Sequence, residues 1–277
     1  MNKEKINIGI AFILNLGFAV FELIGGIFSG SIAILSDSVH DLGDALSIGI
    51  SFMLEKKSEK KPDAIHTFGY KRYSVLGGFI TTIILVVGSI LVVWQSINRL
   101  VNPTEIIYNR MIILAIIGVV VNLVAAFVTH HGDSINQRAV NLHMLEDVLG
   151  WIVVLIGSII MRFTDISIID PLMSIGVSIF VFVEAAKNLR EILNIFLDKA
   201  PDGINAKEIS DMLCKIPNVI AIQELHLWSL DGKTNYATVK LLSDAPNSQI
   251  KENLRKELAS LGFANSTIEI ETLDEKM

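Results

Sequence analysis

Six stretches of the chain carry almost uninterrupted apolar side chains. Each is roughly 20 residues long, the length a helix needs to cross the hydrocarbon core of a bilayer. They run from Ile6 to Phe28, Ser31 to Leu54, Val75 to Trp94, Met111 to Val128, Leu142 to Met161 and Ser167 to Ala186. Ser29-Gly30-Ser31 between the first two predicts a tight hairpin. Past Lys199-Ala200-Pro201-Asp202-Gly203 the pattern changes to charge of both signs. Ile209, Met212, Leu213 and Ile216 then recur at helical spacing, as do Ile250, Leu254, Leu258 and Leu261. Val219 to Leu230 reads as a strand, Asp231-Gly232 as a hairpin turn, and Asn235 to Leu241 and Thr267 to Glu271 alternate as further strands.

The expected architecture is an α-helical membrane protein with six transmembrane helices over residues 1–198. A small C-terminal α-β-β-α-β domain follows over residues 199–277, similar to a ferredoxin-like α+β domain, with both helices on one face of an open sheet. Composition supports the first part. The chain is 51% hydrophobic and only 19% charged, with mean hydropathy +0.54, too apolar for a soluble domain of 277 residues. The first apolar run is long enough to span, so it is expected to stay as an anchor. A net charge of −6 argues against a nucleic-acid partner. The single cysteine, Cys214, excludes an intrachain disulfide and a thiolate metal cluster.

Charge also sets an expected orientation. With six spans both termini share one side, which also receives Lys56, Lys57, Lys60, Lys61, Lys71, Arg72, Arg138, Lys187, Arg190 and Lys199. The opposite side carries Arg99, Arg110 and Arg162. Excess lysine and arginine marks the cytoplasmic face, so both termini are placed in the cytoplasm and the protein in the cell (inner) membrane.

Against this apolar background the second span carries His40 and Asp44, and the fifth opens with His143 and Asp147. Residues four apart lie one turn apart on the same helix face. Each ionisable group costs roughly 2.5–3.5 kcal/mol at mid-bilayer on insertion scales. One such pair is explained by an intrahelical hydrogen bond. Two matched pairs on separate helices point instead to two imidazole nitrogens and two carboxylate oxygens converging on a dication, a set suited to tetrahedral Zn²⁺. Asp37, three residues before His40, is expected behind the ligands or on the route to them. Asp41 and Glu146 are expected to face away from their neighbouring ligands. Asn15 and Glu22 share one face of the first span, and Asn122 in the fourth reads as a polar contact between helices. For Glu22 both proton carriage and an interhelical hydrogen bond are consistent with its place.

These residues carry a family resemblance. Gly30-Ser-Ile-Ala-Ile-Leu-Ser-Asp-Ser-Val-His-Asp-Leu-Gly-Asp44 resembles the second-helix signature of the cation diffusion facilitator family. Thr67-Phe-Gly-Tyr-Lys-Arg-Tyr-Ser-Val-Leu-Gly77 is similar to its third-helix signature, and Asn136-Gln-Arg-Ala-Val-Asn-Leu-His-Met-Leu-Glu-Asp147 to its fifth. Asp170-Pro171 and Leu225-His-Leu-Trp-Ser229 also match, so the resemblance covers essentially the whole chain in order. It implies a homodimeric antiporter exporting Zn²⁺ and related divalent cations from the cytoplasm against protons. His40, Asp44, His143 and Asp147 are the implied transport ligands, zinc is the transported substrate, and no organic cofactor is implied. The histidine-containing form of the site is associated with zinc, while Cd²⁺, Co²⁺, Fe²⁺ and Mn²⁺ remain alternatives.

The chain also departs from the family pattern. Asp63 and His66 match two positions of a second metal site that some members hold before the third helix, but Tyr70 stands where a further histidine would be. A weak site is the most these two residues imply. Ser74 replaces a glutamate usual after Arg72. In the cytosolic domain Gln223, Lys240 and Asn265 stand where many members have histidine, leaving His226 with Glu269 and Glu271. Two further readings from other classes are an intramembrane metal-dependent hydrolase, which needs a coordination position open to water, and a metal sensor acting through its cytosolic domain. The hydrolase is disfavoured because four protein ligands would close the zinc.

Overall fold

The computed structural model describes residues 3–29, 32–102, 108–130, 134–164, 168–244, 248–263 and 265–272. The hairpin expected at Ser29-Gly30-Ser31 lies mostly outside them. The chain divides into two compact units, Met1–Ile192 and Leu193–Met277.

In the first unit the apolar stretches become six long helices. They are α1 (Lys3–Ser29), α2 (Ile32–Ser58), α3 (Arg72–Val101), α4 (Tyr108–His130), α5 (Ile135–Thr164) and α6 (Ile169–Phe196). Among the described residues, four helical stretches are long and apolar enough to cross a membrane: Ile6–Ile24, Arg72–Val101, Ile112–His130 and Ile135–Thr164. The sequences of α2 and α6 are interrupted by ionisable groups, Asp37, His40, Asp41 and Asp44 in one, Asp170, Glu184, Lys187 and Arg190 in the other.

This unit is apolar outside and polar within. Trp94, Phe127, Ile113 and Ile13 are exposed, whereas Asn15, Glu22, Asp44, Ser51, Glu55, Asn122 and His143 are buried. A surface of that kind is solvated by lipid, and polar groups on such helices turn toward the bundle.

Close packing follows the small residues. Phe52 of α2 lies over Gly9 of α1, and Phe12 of α1 lies over Gly49 of α2, each 3.0 Å from where a Cβ would stand. Trp151 of α5 covers Gly118 of α4 and meets the edge of Phe18 of α1, with ring centroids 5.5 Å apart. A Cβ at residue 118 would stand 2.4–2.7 Å from atoms of the indole ring, well inside van der Waals contact. Gly118→Ala is therefore expected to destabilise the purified protein by about 1–3 kcal/mol, the usual effect of overpacking. A thermal melt in detergent unchanged by the substitution would refute this packing. On the far side, α6 sets Val181 and Ala185 against Leu85 of α3. Asn188 adds a buried 2.7 Å hydrogen bond to Thr82, and Glu191 pairs with Arg138 of α5 at 2.7 Å.

The second unit runs α7 (Ala206–Leu213), β1 (Val219–Ser229), β2 (Asn235–Ser243), α8 (Ser248–Ser260) and β3 (Asn265–Thr272). Asn205 caps α7 by accepting a hydrogen bond from the Lys207 amide. The sheet order is β1-β2-β3, with β1 antiparallel and β3 parallel to β2. The parallel pair follows from α8 acting as the crossover. Ile209 and Leu213 from α7, Ile250, Leu254 and Leu258 from α8, and Leu227, Val239, Leu241 and Ile268 from the strands form one core. The β1–β2 connection is wider than a two-residue Asp-Gly turn. Leu230 N–H bonds to the Thr234 carbonyl, Asp231 accepts from the Lys233 and Thr234 amides, and Gly232 takes φ +82°.

Candidate metal centre between α2 and α5

Asp44 lies in the middle of α2, buried, and His143 lies in the first half of α5, also buried. His143 Nε2 stands 3.6 Å from Asp44 Oδ1. One turn along α5, the partly buried Asp147 joins them. One donor atom from each of Asp44, His143 and Asp147 lies within 4.8 Å of the other two, and this is the one such cluster of three or more ligand-type residues among those described. His40 lies on α2 one turn before Asp44, and its side chain is outside the described residues, as is that of Asp37.

Neither ring nitrogen of His143 makes a hydrogen bond among the described residues. A buried imidazole whose nitrogens lack hydrogen bonds costs free energy that a ligand would offset. Two carboxylates facing each other across the same space repel unless a proton or cation lies between them. The donor set is therefore chemically suited to a dication of borderline hardness. Glu146, expected to face elsewhere, comes within 3.9 Å of His143 Nδ1. The pair is spaced i,i+3, a neighbour relation on a helix surface that comparison with the adjacent Asp147 alone overlooks.

A residue from a third helix completes the surroundings. Asn15 of α1, 2% exposed, donates from Nδ2 to Asp147 Oδ2 at 3.4 Å. Further along the same faces of α2 and α5 sits a second polar cluster. Ser74 of α3 donates to Glu55 Oε2 at 2.6 Å, and Asn136 donates to that oxygen at 2.9 Å and to the Ser51 carbonyl at 3.1 Å. The Ser51 hydroxyl bonds back to Asn136 Oδ1. Gly77 and Gly78 of α3 make this approach feasible, since a Cβ at either would press on Asn136 or Ile135. The spacing held a signal for this cluster: Glu55 lies eleven residues after Asp44 and Asn136 seven before His143, whole numbers of turns in both cases.

The other candidate ligands are separate from this centre. Asp63 and His66 lie in the exposed α2–α3 loop. Asp63 Oδ1 accepts from the Ile65 amide at 2.9 Å and the His66 amide at 2.7 Å, and Oδ2 accepts from the Tyr70 hydroxyl at 2.5 Å. The Tyr70 bond, then the two amide bonds, lower the Asp63 pKa to about 2. His66 stacks on Tyr70 with ring centroids 4.1 Å apart, and the Lys57 ammonium lies 4.0 Å over Tyr73. Asp63 thus acts as the staple of an aromatic and cationic loop. In the second unit Lys240 Nζ lies 2.7 Å from Glu271 and 3.6 Å from Glu269, and Gln223 donates to Glu271 at 3.0 Å. The hydrogen bond to Glu271, first among its causes, raises the Lys240 pKa. An ammonium here compensates these carboxylates, and His226 is exposed beside Glu224 at 3.7 Å.

Residues 8–197 match the family described as the cation efflux transmembrane domain. The chain is 35% identical over 227 residues to the zinc transporter ZitB of Pectobacterium atrosepticum, covering 80% of this chain and 71% of that protein. It is 29% identical over 272 residues to the cadmium, cobalt and zinc/H(+)-K(+) antiporter of Bacillus subtilis, covering 95% and 88%. It is 27% identical over 276 residues to the metal cation efflux system protein CzcD of Cupriavidus metallidurans, covering 98% and 87%.

Proposed function

The chain belongs to the cation efflux family of membrane transporters, and we propose that it exports Zn²⁺ from the cytoplasm in exchange for protons, through a site between α2 and α5. It is a metal-cation transporter and not an enzyme. The observation that carries the finer reading is the convergence of Asp44, His143 and Asp147 donors within 4.8 Å inside an apolar-surfaced bundle. His40, one turn before Asp44 on α2, is assigned as the fourth ligand, giving the tetrahedral His₂Asp₂ set that zinc favours.

The cycle is alternating access around a central site. Facing the cytoplasm, the four groups take Zn²⁺ in their deprotonated forms. Facing outward, protons compete for the same lone pairs and release it, because metal and proton binding to one donor exclude each other. Histidine suits this exchange, since its free pKa lies near neutrality. The reading includes six membrane-spanning helices over residues 1–198, a cytosolic domain over 199–277, both termini in the cytoplasm of a cell-membrane protein, and a homodimeric working unit. The concentration of lysine and arginine around residues 56–72 supports the orientation, and the family resemblance supports the dimer.

A broader cargo is supported by the Bacillus relative, whose name includes cadmium and cobalt. The test is flux in proteoliposomes loaded with a metal-sensitive dye. With an opposing proton gradient imposed, Zn²⁺ is expected to move and the lumen to change pH in step. A protein that binds Zn²⁺ and moves none would be a sensor.

A further inference from the structure

We infer that Asn15 of α1 sets which divalent cations the site accepts, by holding one carboxylate oxygen of Asp147 and so limiting how that carboxylate can ligate. The inference rests on the reading of Asp44, His143 and Asp147 as the cargo ligands.

Three observations carry it. Asn15 is 98% buried in a helix whose outer face is apolar, where an amide gains nothing from water and must find a partner inside the bundle. The partner it finds is a ligand: its Nδ2 donates to Asp147 Oδ2, the only side-chain hydrogen bond either residue makes among the described residues. Among the described residues its Oδ1 has no hydrogen-bond partner, so there the Asp147 contact is what orients the amide. The chain places this contact across 132 residues, between helices that meet along the bundle interior.

The chemistry follows from how carboxylates bind metals. A carboxylate can offer one oxygen or both. Tetrahedral Zn²⁺ takes one oxygen per carboxylate at about 2.0–2.2 Å. Larger, more highly coordinated cations accept bidentate carboxylates. With Oδ2 accepting from the Asn15 amide, Asp147 is held in one orientation and Oδ2 is the weaker donor, so ligation through the other oxygen is favoured. Four-coordinate ligation then fits, and expansion to five or six is opposed. Without the amide, Asp147 is free to turn and bind through both oxygens, which favours a larger ion such as Cd²⁺. Asn15 is thus a positioning residue that acts through Asp147.

The test compares Zn²⁺ and Cd²⁺ flux, each metal supplied alone, in proteoliposomes holding equal amounts of wild type, Asn15→Ala, Asn15→Ser, Asn122→Ala or Asp147→Ala protein. Asn15→Ala is expected to keep measurable Zn²⁺ flux and raise the Cd²⁺:Zn²⁺ ratio about threefold to tenfold, the scale of losing one hydrogen bond of ordinary net strength. Asn15→Ser covers the case in which the alanine protein fails to insert, and is expected to shift the ratio in the same direction. Asn122 is an equally buried asparagine of α4, and its alanine variant is expected to retain the wild-type ratio. Equal proportional loss of both metals, or an unchanged ratio in both Asn15 variants, would overturn the inference and leave Asn15 as a packing residue. Asp147→Ala separates the two levels of the reading. If it transports normally, the assignment of the site fails; if it is dead while the Asn15 variants keep the wild-type ratio, only the role of Asn15 fails.

Discussion

Asp147→Ala is expected to reduce Zn²⁺ flux to background. Alanine removes one of the three donors that meet within 4.8 Å and the negative charge that helps balance a dication in a low-dielectric interior. Even partners that only orient a metal ligand cost about 10–100-fold in affinity or activity when lost. The loss of a ligand itself should therefore exceed about a hundredfold. Asp147→Asn is expected to fail nearly as badly, because it keeps the shape and one oxygen but not the charge. The check is initial rates in proteoliposomes at matched protein density, with a melting curve to show that each variant is folded. Wild-type rates in either variant would remove Asp147 from the transport path.

Zinc affinity should fall steeply as pH falls. Each imidazole must be deprotonated to ligate, so below its pKa every pH unit costs about tenfold per histidine. Lowering pH from 7.5 to 5.5 is expected to weaken binding by about tenfold or more, because protons compete for the lone pairs that ligate the cation. The sign is fixed by the donors: protons compete with the cation, so affinity is high on the alkaline side and lost on the acid side. His143→Ala should flatten the dependence as well as weaken binding. Calorimetric titration of the detergent-solubilised protein with Zn²⁺ across this range measures it, and an affinity independent of pH would exclude proton-coupled release at these histidines.

Much of this molecule is legible in its sequence because helices and strands repeat locally. The six apolar stretches correspond to α1–α6, and the alternating segments after residue 218 to the three strands. The spacing of His143 and Asp147 puts both on one side of α5 before any fold is known. What periodicity does not encode is the rotation of one helix about its axis relative to another. The sequence marks Asn15 as polar and on the same face as Glu22, yet nothing in it says that this face meets Asp147. For the Glu55–Ser74–Asn136 cluster, spacing places Glu55 and Asn136 on the same faces as Asp44 and His143, but nothing in it says that Ser74 of a third helix meets them. Trp151 closing on Gly118 depends on how near α4 and α5 approach, which the small residue permits without specifying. In the second unit, Lys240 reads simply as a missing histidine until the parallel pairing of β2 with β3 sets it beside Glu269 and Glu271.

The central claim is that the transported cation rests between α2 and α5 on the paired His/Asp residues. Its most direct test is anomalous diffraction at the zinc edge from crystals of the zinc-loaded protein. The account predicts a peak in each chain about 2.0–2.2 Å from donor atoms of Asp44, His143 and Asp147, with His40 as the fourth ligand. Zinc found at Asp63 and His66, or on the sheet near Glu271, with none between α2 and α5 in a protein that transports it, would contradict the account.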